Sequence, residues 1–472
     1  MRYMLLTIDI GTSTFKSALW NYDGICLSYA AVPIKVNENN GFLHEVNPSL
    51  WLNAFEESCR KLKSQTEHFK DVEVIVISGN GPSLVPVLGE PSKEKFYVPA
   101  ENARLWLDRR AAKYREKVSQ AMGGFVDVSF FLPKILFIKN DENELYNKTK
   151  VFLGCPEYLT YALTAEARTV FPSDGFDRWF WNNDVLEKLE LDVEKFPAFI
   201  RPGDQFGTLI PSVCEHFGFA KNIPVISGGP DFFAAILGSG VTEPGQACDR
   251  TGSSEGINLC TQKRIIHESL MSYGHPIKPH WNLSGIINTT GSAIKWCCDL
   301  FEFGFDDLIK TAQKSKPGSG GLIFHPYLAG ERAHLWDSTV RAQWSGINLS
   351  SGKCDLANSV LEGIGFSIRD VITEMESSGE KINQLHVTGK LSGCKVLNQL
   401  KADITGKEIL EGPYKEAELL GLAVIGSCFK GKYSSFKEAS SALVKIEKHY
   451  EPNPKNTELY NDLFEKYIKK RN

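Results

Sequence analysis

The chain has 472 residues, and 53 lysines and arginines stand against 57 acidic residues, so the formal net charge is −4. Hydrophobic residues make up 42% and charged residues 23%, as in ordinary globular proteins, which excludes a disordered chain, a collagen and a disulfide scaffold. The acidic balance argues against nucleic acid as the main partner, because a phosphate-binding surface normally needs a basic excess.

The cysteines and the lengths of the apolar runs indicate the cellular compartment of the protein. Eleven cysteines at irregular positions form no C-x-x-C pair, so they predict neither a disulfide framework nor a zinc site and suit a reducing cytoplasm. Asp9 and Gly11 interrupt the first apolar stretch too early for a secretory signal. No run approaches roughly 18 apolar residues, so we expect no membrane span. We therefore predict a cytoplasmic protein without nucleic acid or membrane partners, and a homodimer stays open.

The first half of the chain predicts an antiparallel meander followed by alternating strands and helices. Residues 4–10 form a predicted buried strand, residues 15–20 a second strand, and a third strand starts at residue 25. A helix over about residues 48–62 and a strand over residues 72–77 follow. This alternation indicates an α/β fold class.

The second half repeats this arrangement weakly. A turn at residues 251–256 precedes a predicted strand at 257–260, and a later strand at 382–387 ends in a glycine turn. Residues 245–250, before the first turn, are interpreted as a poor buried strand. The repeat predicts two domains of related fold. The Pro- and Gly-containing segment 241–245 is the predicted boundary, which divides the chain into domains 1–242 and 243–472.

The first motif with chemical potential follows the first predicted strand. Asp9 precedes a turn containing Gly11, Thr12 and Ser13, and Lys16 follows. Glycine lets main-chain N–H groups approach an anion, and the hydroxyls and the lysine add donors and charge. Asp9 is a candidate Mg²⁺ ligand, because that ion prefers carboxylate and water oxygens. An ordinary hairpin turn is the alternative interpretation.

The second motif is a glycine-rich corner that ends in a carboxylate. Residues 224–226 form a predicted short strand, Gly228 and Gly229 follow, and Pro230 fits the first position of a helix. Asp231 then lies in the first helical turn, where it can accept a proton from a hydroxyl. A simple helix cap is the alternative.

The third motif, Gly252-Ser-Ser-Glu-Gly256, matches the G-x-S-x-G nucleophile elbow of α/β-hydrolases. That elbow needs a helix after the turn, and here a predicted strand follows. We therefore interpret Gly252, Ser253 and Ser254 as a second anion-binding turn, and a serine hydrolase using Ser254 is disfavoured.

The order of these motifs resembles the FGGY family of carbohydrate kinases over nearly the whole length. Segments resembling family motifs are Asp9–Lys16 (first phosphate motif), Trp106–Arg110 (W-x-D-x-R), Gly228–Asp231 (catalytic G-G-x-D), Gly252–Ser254 (G-T-S), Pro326–Asp337 (P-Y-L-x-G-E-R) and Gly389–Gly406 (adenosine site). The resemblance implies two ribonuclease-H-like domains of the actin and sugar-kinase class with a cleft between them, with ATP mainly on the second and the sugar mainly on the first.

The resemblance also implies roles for individual residues. Asp231 would be the general base and part of the sugar site, and Asp9 would position Mg²⁺. The residues implied for the transferring phosphate are Gly11, Thr12, Ser13 and Lys16. The residues implied for the nucleotide are Gly252, Ser253, Ser254, Gly291 and Gly389, and those for the sugar are Asn80, Trp106 and Asp108.

Two departures from the family pattern bear on the substrates. Lys390 stands where a glycine is usual, so it either reaches a nucleotide phosphate or narrows the adenosine pocket. The sugar-side turn is Gly79-Asn-Gly-Pro82, whereas xylulose kinases carry Gln-Met-His and glycerol kinases Gln-Arg-Glu. The turn therefore supports neither substrate, and the expectation is a ketose, polyol or sugar acid, with a ketopentose-like acceptor favoured. A non-catalytic nucleotide-binding relative is the alternative function.

Overall fold

The structure, a computed structural model of the chain, describes residues 4–39, 42–91, 97–332 and 334–471. The strands in these ranges are β1 (Met4–Ile10), β2 (Thr14–Trp20), β3 (Cys26–Pro33), β4 (Asn37–Asn39), β5 (Leu43–Val46), β6 (Val72–Gly79), β7 (Val85–Val87), β8 (Ala103–Arg104), β9 (Val151–Leu153), β10 (Thr169–Val170), β11 (Phe199–Ile200), β12 (Gln205–Thr208), β13 (Pro224–Pro230), β14 (Gln246–Thr251), β15 (Glu255–Thr261), β16 (Met271–Gly274), β17 (Trp281–Ile287), β18 (Ile323–His325), β19 (Gln343–Ser345), β20 (Gln384–Gly389), β21 (Glu408–Glu411) and β22 (Lys448–Tyr450).

The α-helices in the same ranges are α1 (Ser49–Gln65), α2 (Arg115–Met122), α3 (Phe131–Asp141), α4 (Asn143–Lys148), α5 (Cys155–Thr164), α6 (Asn183–Lys188), α7 (Pro211–Phe217), α8 (Asp231–Gly238), α9 (Gly291–Phe301), α10 (Phe305–Ala312), α11 (Lys353–Ser377), α12 (Lys395–Thr405), α13 (Ala417–Phe429), α14 (Phe436–Leu443) and α15 (Pro454–Lys469). No helix within the described ranges is both long enough and apolar enough to cross a membrane.

The chain divides into two compact units. The first unit runs to Gly238 and takes in Glu418–Leu443, and the second comprises Ser239–Ala417 and the chain from Val444 onward. These bounds differ from the predicted domains, 1–242 and 243–472, in two places. The first stretch of the first unit ends at Gly238 and not at residue 242, and the segment 418–443 belongs to the first unit and not to the second. That segment returns to the first unit after the chain has built most of the second.

The first unit is organised around a six-stranded sheet in the order β12-β13-β6-β1-β2-β3. β1 pairs with β2 antiparallel and with β6 parallel, and β6 pairs parallel with β13. Every residue of β1 is buried, as expected for an apolar strand covered on both faces. The predicted meander and the strand after α1 are confirmed.

The second unit repeats this core in a seven-stranded sheet, ordered β16-β17-β15-β14-β20-β21-β22. β14 pairs with β15 antiparallel and with β20 parallel, and β20 pairs parallel with β21. Each unit therefore contains a hairpin followed by two parallel crossover strands. The prediction of two domains of related fold is confirmed.

Two local predictions are wrong. Residues 245–250, interpreted from the sequence as a poor buried strand, form most of the central strand β14. Its polar Asp249 is fully buried because Lys401 of α12 pairs with it. Pro230 ends β13 instead of beginning a helix, and α8 begins at Asp231. The register between β13 and β6 shifts between Ser227 and Pro230, which keeps the proline in the sheet.

Candidate active site

A tight turn joins β1 to β2 at the carboxyl end of β1. The Gly11 N–H donates to the Thr14 carbonyl at 3.0 Å and closes the turn. Thr12 is half-buried and Ser13 is exposed, so both lie within reach of a ligand. The predicted turn is confirmed, and the hydroxyl groups of Thr12 and Ser13 are the donors that it presents.

Asp9 and Lys16 face each other across this hairpin. They are register partners on β1 and β2, and the Lys16 Nζ lies 3.8 Å from the Asp9 Oδ2. The Asp9 side chain is 4% exposed and the Lys16 side chain 21% exposed. The ammonium therefore compensates a carboxylate that is nearly buried at the strand end.

Asp231 lies at the same edge of the sheet as Asp9. Gly79 of β6 is in register with Ile10 of β1 on one side and with Pro230 of β13 on the other. Asp9 and Asp231 each lie one residue from this row, on strands separated by β6. Since neighbouring strands are about 4.8 Å apart and the two residues lie on opposite sides of the row, each about 3.3 Å along the strand, the two main-chain positions are separated by roughly 12 Å. Half-buried Asp231 begins α8, and its Oδ1 accepts the Phe232 N–H at 2.7 Å.

Trp106 connects the segment expected to bind the sugar with the phosphate turn. Its indole N–H donates to the Thr12 hydroxyl at 3.2 Å, and the ring is half-buried. The bond joins a residue before α2 to the turn after β1. These two sequence-predicted sites therefore form one surface within the first unit.

The side chains of Asn80 and Asp108 form hydrogen bonds within the protein. The Asn80 side-chain amide donates to the Ile10 carbonyl at 2.9 Å, and its Oδ1 accepts the Ser83 hydroxyl at 2.6 Å. The Asp108 Oδ2 accepts the His44 N–H at 3.1 Å and an Arg110 Nη2 donor at 2.8 Å. Both side chains are buried and brace the segments around the turn.

Lys134 is a buried cation of the first unit that the sequence reasoning missed. Its ammonium donates to the Pro82 carbonyl at 2.7 Å and the Ser129 carbonyl at 2.6 Å. Burial lowers the pKa of Lys134 to about 7. The feature in the sequence that could have revealed it is a lysine within the apolar run of α3. The Lys134 side chain anchors the turn that follows Asn80.

The turn between β14 and β15 is the counterpart in the second unit. The Gly252 N–H donates to the Ser254 carbonyl at 2.8 Å. The Ser253 carbonyl accepts the Ser292 N–H at 3.1 Å, so the turn rests on the beginning of α9. A Cβ on Gly291 would lie 2.2 Å from the Gly252 carbonyl oxygen, so no larger residue fits there without displacing the turn.

Gly389 closes the other side of this turn. It has a φ of +92°, and a Cβ there would lie 2.1 Å from the Thr251 carbonyl oxygen. The next residue, Lys390, donates its main-chain N–H to that same oxygen at 3.1 Å. The structure thus brings together all the residues expected to bind the nucleotide, on three segments of the second unit.

A cavity of about 380 Å³ lies beside this turn, within the second unit. Its lining residues come from α10 and from the loops after β20 and β21, and they include Phe305, Ile309, Leu391, Lys310, Lys390 and Lys415. Among the described residues, none of the three lysines has an ion-pair partner. The lining also includes one carboxylate, Asp306, so the cavity combines apolar surface with a net positive charge, which suits an aromatic ligand that carries phosphate.

The Glu-Arg pair of the motif at 326–337 forms an internal network. The Glu331 Oε1 accepts the N–H groups of Asn288 and Arg332, each at 2.8 Å. The Arg332 Nε donates to the Asn288 Oδ1 at 2.6 Å. Burial raises the pKa of Glu331 to about 7. The network braces the end of β17, just before α9. Ala333 of this motif lies outside the described residues.

The carboxylate of Asp9 fits a magnesium ion whose other ligands are water and substrate phosphates. No cluster of three or more metal-ligating side chains occurs in the part of the chain that the structure describes. Mg²⁺ usually binds through one or two carboxylates and fills the remaining positions with water and substrate phosphates. Asp9, nearly buried at the end of β1, supplies one such carboxylate.

Known sugar kinases are similar to this chain over nearly its whole length. A xylulose kinase from Staphylococcus epidermidis is 26% identical over 486 residues, which cover 99% of this chain and 96% of the relative. A gluconokinase from Bacillus subtilis is 24% identical and covers 95% of this chain and 92% of the relative. The solved structure of a gluconate kinase from Lactobacillus acidophilus matches with a TM-score of 0.87 at 22% identity, covering 100% of this chain and 98% of that one.

Two family models account for most of the sequence. Residues 4–238 match the N-terminal domain of the FGGY family of carbohydrate kinases, and residues 250–428 match its C-terminal domain. The expected family and the two-domain fold of the actin and sugar-kinase class are confirmed. The chain belongs to the FGGY family of carbohydrate kinases and is an ATP-dependent phosphotransferase.

Proposed function

We propose that this kinase transfers the γ-phosphoryl group of ATP to one hydroxyl of a small sugar or sugar acid, with a ketopentose-like acceptor favoured. The first unit binds the acceptor and the second unit binds the donor. The observation that carries the proposal is the position of Asp9 and Asp231 at one edge of the same sheet, beside a turn rich in hydroxyl groups. Phosphoryl transfer needs such positioning and charge more than covalent help from the protein.

Asp231 is the general base in this proposal. Its carboxylate takes the proton of the acceptor hydroxyl while that oxygen forms a bond to the γ-phosphorus. The bond from the γ-phosphorus to the bridging oxygen breaks, and its electron pair leaves with ADP. Asp231 is suited to this role because it is only half-buried and stands at the first residue of α8.

The donor is assigned to both phosphate turns and to the cavity of the second unit. Gly11, Thr12, Ser13 and Lys16 hold the transferred phosphoryl group. Gly252, Ser253 and Ser254 hold the remaining phosphates, and Gly291 and Gly389 border the nucleoside. Lys390 helps binding, because its main chain adjoins the turn and its ammonium has no carboxylate partner among the described residues.

Mg²⁺ is assigned to Asp9, directly or through water. When bound, the ion neutralises charge on the donor phosphates. Because the Lys16 ammonium lies near Asp9, it offsets part of the negative charge that the turn offers to the ion. Asp9 therefore acts in the proposal as the one carboxylate that orients the ion, and the phosphates supply the remaining anionic ligands.

The acceptor site is assigned to Trp106, Asn80 and Asp108, together with Asp231. Because Asn80 and Asp108 are already hydrogen-bonded inside the protein, they shape the site from behind. The half-buried Trp106 ring is the apolar surface available to a sugar. Similarity to enzymes named xylulose kinase and gluconokinase supports both a ketose and a sugar acid as acceptor classes.

The test is ATP-dependent release of ADP across a panel of ketopentoses, ketohexoses, polyols and aldonic acids. We expect turnover to concentrate in one class, with the ketopentoses first. No release above the acceptor-free background for every compound would contradict the proposal. Identification of the product by mass spectrometry and phosphorus NMR then assigns the hydroxyl that is phosphorylated. Cytoplasmic location and a homodimer stay predictions, and sedimentation velocity tests the second.

A further inference from the structure

A cluster of three buried charged side chains lies directly beneath the turn of the second unit. The Lys401 Nζ of α12 lies 2.5 Å from the Asp249 Oδ2 of β14 and pairs also with the Glu255 Oε1 of β15. Its third contact is the Thr251 hydroxyl, at 3.3 Å. The side chains of Asp249 and Glu255 are fully buried, and that of Lys401 is 8% exposed. One ammonium thus joins both strands of the hairpin at its base.

The protonation of the cluster follows from burial and proximity. Burial and the neighbouring Glu255 raise the pKa of Asp249 well above its usual range. Although burial opposes it, the Lys401 ammonium lowers the pKa of Glu255. The Lys401 ammonium is therefore the one cation between two carboxyl groups, and Glu255 is the one whose pKa it lowers.

Stability alone does not account for such a cluster. Burying ions is costly, and apolar side chains of similar volume often stabilise a protein as well or better. The adjoining cavity measures about 10 Å³, room for about one water molecule, so solvent cannot replace the ammonium. The arrangement instead fixes position, because a single cation with three directed donors sets the distance between its partners.

Lys401 connects the two segments assigned to the donor, the turn of the hairpin and the loop before α12. Thr251 and Glu255 flank the turn at Gly252–Ser254 and are register partners across the hairpin. Helix α12 begins at Lys395, directly after the loop that contains Gly389 and Lys390. Lys401 therefore ties the phosphate turn to the helix that directly follows the loop forming one wall of the nucleoside cavity.

We propose that Lys401, through Asp249 and Glu255, is a positioning residue that holds the phosphate turn and the nucleoside wall in the spacing that ATP requires. This inference rests on the proposed function, because it takes the second unit as the donor site. Its consequence is selective: loss of the charged cluster weakens ATP binding and leaves the chemistry in the first unit intact.

The experiment compares the full chain with a charge-balanced double variant, Glu255→Gln with Lys401→Met. These changes remove the cation and the carboxylate whose pKa it lowers, keep side-chain length, and leave Asp249 in place. Isothermal titration with a non-hydrolysable ATP analogue measures donor affinity without any acceptor. We expect a folded variant whose Kd for the analogue rises at least tenfold. With the acceptor identified, KM for ATP should rise similarly, while kcat at saturating ATP stays within about threefold.

Two further variants keep the test decisive. If the double variant does not fold, the apolar set Asp249→Leu, Glu255→Met and Lys401→Met takes its place, with the same expectation for Kd. Glu362→Gln is the matched control, because Glu362 is another buried acid of the second unit, bonded to Ser319 and Tyr460. We expect this control to lower Tm without changing Kd.

The outcomes separate the inference from the proposed function. A folded cluster variant whose Kd stays within twofold of the wild type overturns the positioning role and leaves the kinase proposal standing. An increase in Kd for the Glu362→Gln control equal to that of the cluster variant also overturns it, because the effect would then be general. A wild-type chain that binds no analogue overturns the donor assignment itself, and the inference with it.

Discussion

Asp231 is the residue on which the proposed chemistry depends most directly. Asparagine at this position keeps the shape of the side chain and an oxygen for the Phe232 N–H, but it cannot take a proton. We expect Asp231→Asn to reduce kcat by roughly 10²-fold or more, the usual scale for a general base. Steady-state ADP release measures kcat, and analogue binding and Tm should stay at wild-type values.

The matched control for this substitution is Asp184→Asn. Asp184 is exposed on α6 and pairs with Lys188 within the same helix, so its neutralisation should leave kcat unchanged. Wild-type turnover by Asp231→Asn would remove Asp231 from the reaction. A decrease of similar size in the control would show that the loss reflects charge in general.

Glu157 makes the stability of the first unit depend on pH. It lies on α5, its Oε1 accepts the Val170 N–H at 3.1 Å, and burial raises its pKa from 4.5 to about 7. The folded state therefore binds this proton more tightly than the unfolded state. The associated stabilisation is complete below pH 4.5 and is lost as the pH rises through 7. A shift of this size corresponds to about 3 kcal/mol between the two limits.

Glu157→Gln removes this titration and keeps an acceptor for the Val170 N–H. We expect the variant and the wild type to be similarly stable near pH 4.5, and the variant to be the more stable above pH 7. Urea unfolding across this range measures both curves. Glu331 contributes a slope of the same sign in both proteins, so only the difference between them reports Glu157. Parallel curves at every pH would contradict the assignment.

At the scale of elements, local pattern predicts the hairpins better than the strands beside them. The turn at Gly11, and the strand after Ser254 that excludes a nucleophile elbow, follow from nearby residues. Strand β14 was missed because Asp249 looks unsuited to a sheet interior, and its partner Lys401 comes 152 residues later in the chain. A charge that is neutralised from a distant helix leaves no signal in a local window.

The same limit applies to the predicted sugar-binding residues. Asn80 and Asp108 stand in motif positions that suggest ligand contact, yet their side chains bond to Ile10, Ser83, His44 and Arg110. Sequence reveals which polar groups are present. Whether a ligand or the protein itself uses those groups depends on tertiary contacts that the motif does not contain.

The contact between α9 and the phosphate turn gives a prediction at this scale. Gly291→Ala places a methyl group 2.2 Å from the Gly252 carbonyl oxygen, whereas alanine by itself favours a helix. We expect the turn to be displaced and the Kd for an ATP analogue to rise about tenfold, consistent with the usual cost of overpacking. Isothermal titration measures this change.

Gly256→Ala is the control in the same hairpin. A Cβ at Gly256 would meet only the Asn258 side-chain nitrogen, at an ordinary 3.6 Å. We expect its affinity for the analogue to match that of the wild type. Equal affinities for the Gly291→Ala variant and the wild type would show that this turn does not hold the donor.

At the scale of the whole molecule, the first unit is completed by a segment from far along the chain. Helix α13 lies against α8, with Gly421 so close that a Cβ there would lie 1.8 Å from the Ala234 carbonyl oxygen. Leu422 of α13 also packs directly against Gly228, just before Asp231. The predicted boundary at residue 242 could not include this return, because the helix adjoins the second unit in sequence. The segment that carries the proposed base is therefore supported from Glu418 onward.

This return predicts that residues 1–242 do not fold alone. The buried large apolar residues of α13 are Leu419, Leu420, Leu422, Val424 and Ile425. Losing their burial removes on the order of 10 kcal/mol of hydrophobic stabilisation, comparable with the whole stability of a typical domain. Cooperative urea unfolding, followed by circular dichroism, should be absent for residues 1–242.

Joining residues 1–238 to 418–443 should restore cooperative unfolding. A short glycine–serine linker is sufficient, because a Cβ on Gly421 would lie 3.0 Å from the Gly238 nitrogen, so the two ends to be joined are close together. The same linker followed by a scrambled sequence of residues 418–443 is the control, since it keeps length and composition without the packing surface. Cooperative unfolding of residues 1–242 alone, or of the scrambled control, would show that α13 is dispensable. Failure of the scrambled control beside success of the native segment would make α13 part of the scaffold that holds Asp231.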